Sequence, residues 1–254
     1  MIRVAKAKKM IGLFLCASIF GGLRLDAPPR TSSAAQRPAK TEFEPTEGYQ
    51  VLRLEGWEVL VDKRFLKSRP DLADRTLTLL KFQLYQIGRR LPSSSVAKLR
   101  KIRIWVEENE PHHPCMVYHP DAGWLREHGM NPDKARCVEI SNARKFLEWT
   151  LQQPWMVLHE LAHGYHHQFL SDGYENADVK RAFEIAKESK RYDTVLRIGG
   201  TEEKAYAMQN PPEYFAESTE AFFGTNDFFT FVRAELKKHD PEMFELLRKV
   251  WEAP

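Results

Sequence analysis

The sequence predicts an α+β fold, with a small β-sheet upstream and a largely helical C-terminal half. Short apolar runs with the alternation typical of strands occur between residues 57 and 140. From Asn142 onward, apolar residues recur at spacings of three and four, and helix-capping residues separate these segments. No internal repeat and no second change of composition occur after residue 46, so we expect one folded domain at residues 47–254.

The first 26 residues have the pattern of a secretory signal peptide. Basic side chains come first, and an apolar run from Met10 through Leu23 follows, which is too short for a comfortable membrane span. The pattern predicts a secreted or periplasmic protein or, where the segment is not cleaved, a membrane-anchored protein outside the cytoplasm. Residues 27–46 are rich in Pro, Ser, Ala and Thr, with Phe43 as the one large apolar side chain, which predicts a linker.

The net charge of +3 comes from this N-terminal segment. Residues 1–25 carry five basic side chains and no acid, which leaves residues 26–254 with 33 Lys and Arg against 35 Asp and Glu, a net charge of −2. Residues 26–254 lack the excess of basic side chains that nucleic-acid binding requires, so we expect no nucleic-acid partner. The sequence does not predict an oligomeric state.

The upstream part begins with a predicted strand at residues 57–61. A long amphipathic helix is predicted to begin near Pro70 and to end before Pro92. Its apolar face is marked by residues spaced by three and four, namely Leu77, Leu80, Leu84, Ile87 and Leu91.

Three more short strands are predicted before the helical half. Residues 102–106 alternate between apolar side chains and Arg103 or Trp105, which predicts a half-buried strand. Residues 116–119 and 137–140 are predicted strands joined by a loop with a turn at Gly123. A proline-rich loop is predicted to hold a histidine cluster that could face a substrate cleft, formed by His112, His113 and His119.

Helices are predicted for most of the remaining chain. Asn142 can cap a helix through about residue 152, and a second helix follows Pro154. A further helix is predicted at 179–189 and a strand or hairpin arm at 192–198. Three closing helices are predicted at 211–223, at 227–238 and after the Asp240-Pro241 pair.

The helix after Pro154 contains the segment His159-Glu160-Leu161-Ala162-His163, which reads H-E-x-x-H. Residues i and i+4 share a face of a helix, so His159 and His163 can direct two imidazole nitrogens at one zinc ion. Glu160 lies about 100° around the helix from His159, where a carboxylate can accept a proton from metal-activated water without binding the metal. The segment therefore predicts a catalytic zinc site.

A catalytic zinc site needs a third protein ligand. The pattern that places a third histidine six residues on fails, because it requires glycine at His166 and histidine at Phe169. His167 lies one helical turn too far, so His166 and His167 are predicted to be solvated or to act as outer partners of the site.

The best downstream candidate for the third ligand is Glu213. It shares a helix face with Glu217, which could receive the far N–H of a ligand histidine, and with Glu220, for which no role is predicted. Asn210 followed by Glu213 is also a capping-box pattern, so Glu213 could instead bond back to the helix start.

These two motifs resemble those of the gluzincin metallopeptidases, which pair H-E-x-x-H with a glutamate ligand on a later helix. The likeness is nearest to the catalytic domain of anthrax lethal factor, through the Asn210 that precedes Glu213 and the aromatic-Phe-Ala-Glu217 that follows it. The resemblance implies a zincin-like domain and a transition-state tyrosine at Tyr206, seven residues before the ligand. It covers about residues 155–223, and Pro211 and Pro212 depart from it.

Without the leader, the body has two cysteines, Cys115 and Cys137. An oxidising destination predicts a disulfide between them, which would contribute about 3 kcal/mol in the chain-entropy model. The alternative is a pair of buried free thiols. No C-x-x-C pattern occurs, so neither thiol redox chemistry nor a cysteine zinc site is predicted.

The sequence thus predicts an exported Zn²⁺ metallopeptidase that hydrolyses peptides or proteins. Its metal ligands are His159, His163 and Glu213, Glu160 is the general base, and Tyr206 stabilises the oxyanion. The substrate is expected to pair with an edge strand at residues 137–140. Two alternatives stay open: a non-catalytic module stapled by zinc with Glu217 or His166 as fourth ligand, and a zinc hydrolase of non-peptide substrates.

Overall fold

The structure, a computed structural model, describes residues 43–252. The strands of its main sheet are β1 (Tyr49–Leu54), β2 (Trp57–Asp62), β3 (Ile104–Val106), β4 (Met116–Tyr118) and β5 (Val138–Ile140). The helices among and after them are α1 (Lys63–Ser68), α2 (Pro70–Arg90), α3 (Ser93–Leu99), α4 (Ala122–Glu127), α5 (Ala143–Trp149), α6 (Met156–Phe169), α7 (Ala177–Glu188), α8 (Pro211–Phe223), α9 (Arg233–His239) and α10 (Pro241–Trp251). A small hairpin, β6 (Val195–Leu196) with β7 (Glu202–Glu203), lies between α7 and α8. The predicted α+β class, with a small upstream sheet and a helical C-terminal half, is confirmed.

The main sheet is mixed, with the strand order β1-β2-β3-β5-β4. Strands β1 and β2 form an antiparallel hairpin around Glu55 and Gly56, whose positive φ angles of 49° and 91° suit a tight two-residue turn. Strands β2, β3 and β5 run parallel, and β4 pairs antiparallel with β5. The prediction that residues 137–140 form an edge strand is therefore wrong, because β5 is hydrogen-bonded on both sides and β4 is the edge.

Both faces of the sheet are buried at its central strands β3 and β5. One face belongs to the main apolar core beneath the helices, with Val59, Ile104, Val138 and Ile140 fully buried. The other face carries a small cluster around Trp105, whose exposure is 0%. The prediction that β3 is half-buried is wrong, because chain segments distant in sequence cover this second face.

A buried ionic network lies on the second face. The Tyr49 hydroxyl donates to Glu107, and the Lys134 ammonium donates to Glu107 and, at 2.5 Å, to Glu139. A ring nitrogen of His119 lies 2.6 Å from the other oxygen of Glu139. Each buried charge thus has an opposite partner, as burial in a low dielectric requires.

Local sequence signals set several helix ends where they were predicted. The long helix α2 begins at Pro70 and ends at Arg90, ahead of Pro92. Asn142 caps α5 by accepting the Lys145 N–H at 2.9 Å, and Asp240 caps α10 by accepting the Met243 N–H at 3.2 Å.

Other elements differ from the prediction. Strand β1 and helices α1 and α3 were not predicted, and the turn expected at Gly123 is part of helix α4. Helix α9 begins at Arg233, whereas the predicted helix began at residue 227. Residues 227–229 instead extend the small hairpin, because the Ile198 N–H donates to the Asp227 carbonyl at 2.7 Å.

The predicted disulfide between Cys115 and Cys137 is wrong in this fold, in which both thiols are buried and free. The Ser141 N–H donates to the Cys115 carbonyl, and the His119 N–H donates to the Cys137 carbonyl. Cys115 therefore lies beside Ser141, four residues along the ladder from Cys137, which corresponds to about 13 Å at the rise of a strand. A disulfide requires Cα atoms within about 7 Å.

The predicted leader, and the part of the predicted linker up to residue 42, lie outside the described residues. Within residues 43–252, none of the helices combines the length and the apolar character that crossing a membrane requires.

Candidate metal centre

Helix α6 carries the H-E-x-x-H segment. Its apolar stripe is buried, with Leu158, Leu161 and Ala162 at 0% exposure, and this stripe fixes the rotation of the helix. His159 and His163 share one face, and their Nε2 atoms lie 3.1 Å apart.

Gly164 lets α6 approach the sheet closely. A Cβ atom at this position would lie 2.6 Å from Cδ1 of Ile102 and 3.0 Å from the ring of Tyr118 on strand β4. A larger residue would therefore displace either the helix or its neighbours. The glycine beside His163 thus sets the distance between the histidine helix and the edge strand.

Helix α8 supplies the acid that faces the two histidines. Asn210 caps this helix by accepting the backbone N–H of Glu213 at 2.9 Å, and prolines occupy the first turn. The Glu213 carboxylate lies against the histidines, with its Oε2 atom 3.1 Å from His159 Nε2 and 3.3 Å from His163 Nε2. Asn210 therefore forms its half of the predicted capping box, while the Glu213 side chain points towards α6.

The three donor atoms form a nearly equilateral triangle with sides of 3.1, 3.1 and 3.3 Å. A tetrahedral zinc ion with bonds of about 2.0–2.1 Å requires its ligand atoms to lie about 3.3 Å apart. The observed spacing therefore suits zinc. Among residues 43–252, His159 belongs to two groups that could hold a metal ion, one with His163 and Glu213 and one with Glu217 and Glu220. No fourth protein donor joins the first group, to which both histidines of the H-E-x-x-H segment belong.

The Glu213 carboxyl of the triad is held in its ionised form. Burial raises the pKa of the Glu213 carboxyl, but the neighbouring rings of His163 and His159 outweigh burial and hold the pKa well below its usual range. Glu213 therefore stays ionised. The side chains of His159, His163 and Glu213 are only 12%, 10% and 18% exposed, so few waters screen these charges.

Two more acids of α8 lie on the far side of the His159 ring. Oε1 of Glu220 is 2.7 Å from His159 Nδ1, whereas Oε1 of Glu217 is 3.8 Å away. The partner predicted for the histidine N–H was Glu217, and the structure places Glu220 at hydrogen-bonding distance instead. The sequence signal that could have identified Glu220 is its spacing of seven residues from Glu213. Seven residues are about two helical turns, or about 10.5 Å along the axis, so Glu220 lies on nearly the same helix face as Glu213.

Glu160 and Tyr206 both lie near the triad. Tyr206 is 41% exposed and occupies a short 3-10 turn, Tyr206–Met208, just before α8. Partial burial and the carboxylate of Glu213 raise the pKa of the Tyr206 hydroxyl, and Glu160 contributes in the same direction. Burial raises the pKa of the Cys115 thiol to about 12, and the charge of Glu160 contributes in the same direction. Its carboxylate therefore lies within electrostatic range of both Tyr206 and the residue that precedes β4.

The other histidines lie away from the triad's donors. His166, predicted to be solvated or an outer partner, is fully buried between Tyr174 and Phe215, and burial lowers its pKa to about 3. Nδ1 of His167 lies 2.8 Å from the hydroxyl of Tyr118.

The predicted histidine cluster belongs to the second face of the sheet rather than to the metal centre. His119 lies in the buried network there, and the ring of His113 packs 5.2 Å from that of His119. His112 pairs with Glu110.

No protein-family model matches the chain, and no curated protein matches it. Among solved structures, the chain is similar to the PRO-PRO endopeptidase (PPEP-2) from Paenibacillus alvei, with 18% sequence identity over 70% of this chain and 90% of that chain and a TM-score of 0.42. A similarity of this degree establishes neither a family nor an activity for the chain.

Proposed function

We propose that this chain is an exported, zinc-dependent metallopeptidase of the gluzincin type. The observation that carries the proposal is the triangle of donor atoms from His159, His163 and Glu213, which has the spacing of three corners of a zinc tetrahedron and no fourth donor from the described residues 43–252. Structural zinc sites use four protein ligands, whereas catalytic sites use three and leave one position open. The donor set therefore favours catalysis over a structural staple.

In this proposal, His159 and His163 bind the metal through Nε2 and Glu213 binds it through Oε2. Zinc at this position supplies a Lewis acid that polarises a carbonyl oxygen and lowers the pKa of a water molecule. The ionised Glu213 adds one negative charge to the ligand set. Low exposure of the three side chains strengthens the attraction between these groups and a cation.

Glu160 acts as the general base. Its position next to His159 on α6 lets the carboxylate reach the site's edge without joining the ligand triangle. It would take a proton from the attacking water and pass it to the leaving amine. Tyr206 would donate a hydrogen bond from its hydroxyl to the oxyanion that develops at the scissile carbonyl, and its raised pKa disfavours loss of the hydroxyl proton.

The substrate is proposed to bind as an added strand along β4. This strand is one of the two edges of the sheet, so its outer backbone groups have no strand partner among the described residues. Helix α6 packs against β4 through Gly164, which brings the edge close to the histidine pair. An extended peptide on this edge would pass near the metal centre.

The test is a zinc analysis combined with a peptide-library digest of the full chain and its Glu160→Gln variant. Wild type is expected to bind one zinc and cleave peptides, and Glu160→Gln to keep the zinc while losing hydrolysis by about 10²–10⁴-fold, since it removes the base and no ligand. A chelator should lower the melting temperature of both, because a metal that binds only the folded state stabilises it.

Three outcomes separate the alternatives. Full activity of Glu160→Gln would refute the assigned base. A wild-type protein that holds zinc and cleaves nothing in the library would favour the stapled module or a non-peptide substrate. Zinc retained by Glu213→Ala would remove Glu213 from the ligand set and the gluzincin assignment with it.

Export is a separate part of the proposal and rests on the N-terminal pattern alone. Intact mass of the protein recovered from producing cells should show a mature chain that begins after residue 20. Recovery of the full-length chain in the membrane fraction would indicate the anchored alternative.

A further inference from the structure

The His159 ring is held between two acids of the same helix. Its Nε2 atom faces Glu213 at 3.1 Å, and its Nδ1 atom lies 2.7 Å from Oε1 of Glu220. Glu220 is 2% exposed and lies two helical turns beyond Glu213. One carboxylate therefore lies on the metal side of the imidazole, and the other lies behind it.

We infer that Glu220 is the positioning residue of this centre, which holds His159 in the tautomer and orientation that direct the Nε2 lone pair at the metal. This inference rests on the proposed function, because it assigns Glu220 a role relative to the metal ligands. A neutral imidazole carries one N–H and one lone pair. Donation of the Nδ1–H to Glu220 leaves the lone pair on Nε2, beside Glu213 and His163.

Glu217 is the competing residue, and two observations set it apart from Glu220. Its nearest oxygen is 3.8 Å from His159 Nδ1, beyond hydrogen-bonding distance. It lines a small cavity together with Asn226, and no residue of the triad lines that cavity.

Among residues 43–252, the Glu220 side chain has one hydrogen-bond partner, the Nδ1 atom of His159. Asp227, a buried acid outside α8, pairs instead with a cation, because Arg197 lies 3.3 Å from its Oδ2 atom. Burial of a carboxylate costs desolvation free energy. A buried acid whose one side-chain hydrogen bond goes to a ligand histidine fits a positioning role.

The experiment compares Glu220→Met with Glu217→Met in the full chain. The two substitutions are matched, because each removes one buried carboxylate of α8 and keeps a side chain of similar length. Zinc affinity is measured by competition with a chromogenic chelator, the visible absorption spectrum is recorded with Co²⁺ in place of zinc, and the metal-free melting temperature reports folding. Glu220→Gln, which keeps an acceptor oxygen, tests for rescue.

Glu220→Met should weaken zinc binding by about 10–100-fold and alter the Co²⁺ spectrum, as loss of an outer hydrogen bond to a ligand does. Glu220→Gln should recover part of the affinity, and Glu217→Met should leave both readouts unchanged. If Glu217→Met weakens zinc binding as much as Glu220→Met, or if Glu220→Met binds zinc like wild type, the inference is overturned. If Glu220→Met does not fold, Glu220→Gln tests the inference. A Co²⁺ spectrum and a zinc affinity between those of wild type and Glu213→Ala would support the positioning role of Glu220. Wild-type values of both would refute it.

Failure of the inference and failure of the proposed function look different. A wild type that binds zinc through Glu213 yet cleaves no peptide leaves the positioning role intact and removes the peptidase assignment. A wild type that hydrolyses peptides while Glu220→Met keeps its zinc affinity removes the positioning role alone. A wild type with no tight zinc binding removes both.

Discussion

The hydroxyl of Tyr206 offers the most direct residue-scale test of the proposed chemistry. Replacement by Phe should leave zinc content unchanged and lower kcat by about 10²–10³-fold, because one donor to the developing oxyanion is lost. KM should change little, since the donor acts mainly on the transition state. Steady-state kinetics on a cleaved library peptide, with zinc measured on the same samples, gives both values.

Tyr85 provides the matched control for Tyr206. It is 47% exposed on α2, similar to the 41% of Tyr206, but lies outside the metal centre. Tyr85→Phe should keep full activity. Equal kcat values for the two variants would identify Tyr206 as an ordinary surface tyrosine.

At the residue scale, the sequence predicted the helical histidine pair and the acid opposite it, because helical periodicity alone brings i and i+4 together. It predicted Glu217 as the acid that meets Nδ1 of His159, whereas Glu220 lies at hydrogen-bonding distance. Glu217 and Glu220 share a face, and the choice depends on how α8 lies across α6, which is a tertiary property. Trp105 was misjudged for a related reason, because alternation in a strand does not reveal that a distant segment covers the second face.

At the element scale, the contact of α6 with β4 depends on Gly164. Gly164→Ala would place a methyl group 2.6 Å from Cδ1 of Ile102 and 3.0 Å from the Tyr118 ring. Overpacking of this kind costs about 1–3 kcal/mol and moves helix and strand apart. We expect a lower melting temperature together with a loss of peptide hydrolysis larger than the loss of zinc, measured by calorimetry, metal analysis and kinetics.

Gly88 is the control for this substitution. It lies inside helix α2, and a Cβ atom there would meet nothing within 4 Å. Gly88→Ala should stabilise the protein by about 0.5–1 kcal/mol through helix propensity. The double variant Gly164→Ala with Ile102→Val should recover stability. A Gly164→Ala variant as stable as wild type would show that α6 is not held at this distance by the glycine.

Elements were predicted well where their ends carry their own signals. Pro92 stops α2, Asn210 with two prolines starts α8, and Asp240 with Pro241 starts α10. Helices α1, α3 and α4 have six or seven residues, fewer than two turns. Such short helices are marginal on their own and form through tertiary packing, so the local sequence predicts them poorly.

At the scale of the whole molecule, the buried network around Glu139 should govern acid stability. Burial raises the pKa of Glu139, but hydrogen bonds from His119 and Lys134 outweigh it and lower the pKa from 4.5 to about 2. Between these values the folded protein binds fewer protons than the unfolded chain. The stability contributed by ionised Glu139 is therefore fully present above pH 4.5 and is lost as the pH falls towards 2.

Glu139→Gln should lower the free energy of unfolding by about 3–5 kcal/mol at neutral pH, because Lys134 and His119 lose a buried charged partner. Its stability should also fall less steeply than that of wild type between pH 4.5 and 2. Urea titrations in the presence of chelator measure the free energy of unfolding at each pH without a contribution from metal release.

Glu148→Gln is the control for this substitution. It removes a surface partner of Lys145, since the Glu148 side chain is 60% exposed, and should change the free energy of unfolding by at most about 1 kcal/mol. Parallel pH profiles for wild type and Glu139→Gln would contradict the assignment.

The two free thiols of residues 43–252 bear on the conditions in which the chain can fold. Cys115 and Cys137 lie on separate rungs of the β4–β5 ladder, and each packs in its own apolar cluster. Neither can reach the other without breaking that ladder, and burial raises the pKa of both thiols. The fold of residues 43–252 therefore contains no disulfide that an oxidant would have to form. The chain should reach the same fold in a reducing cytosol, a cell-free extract or an oxidising medium, and an expression host can be chosen without regard to its thiol machinery.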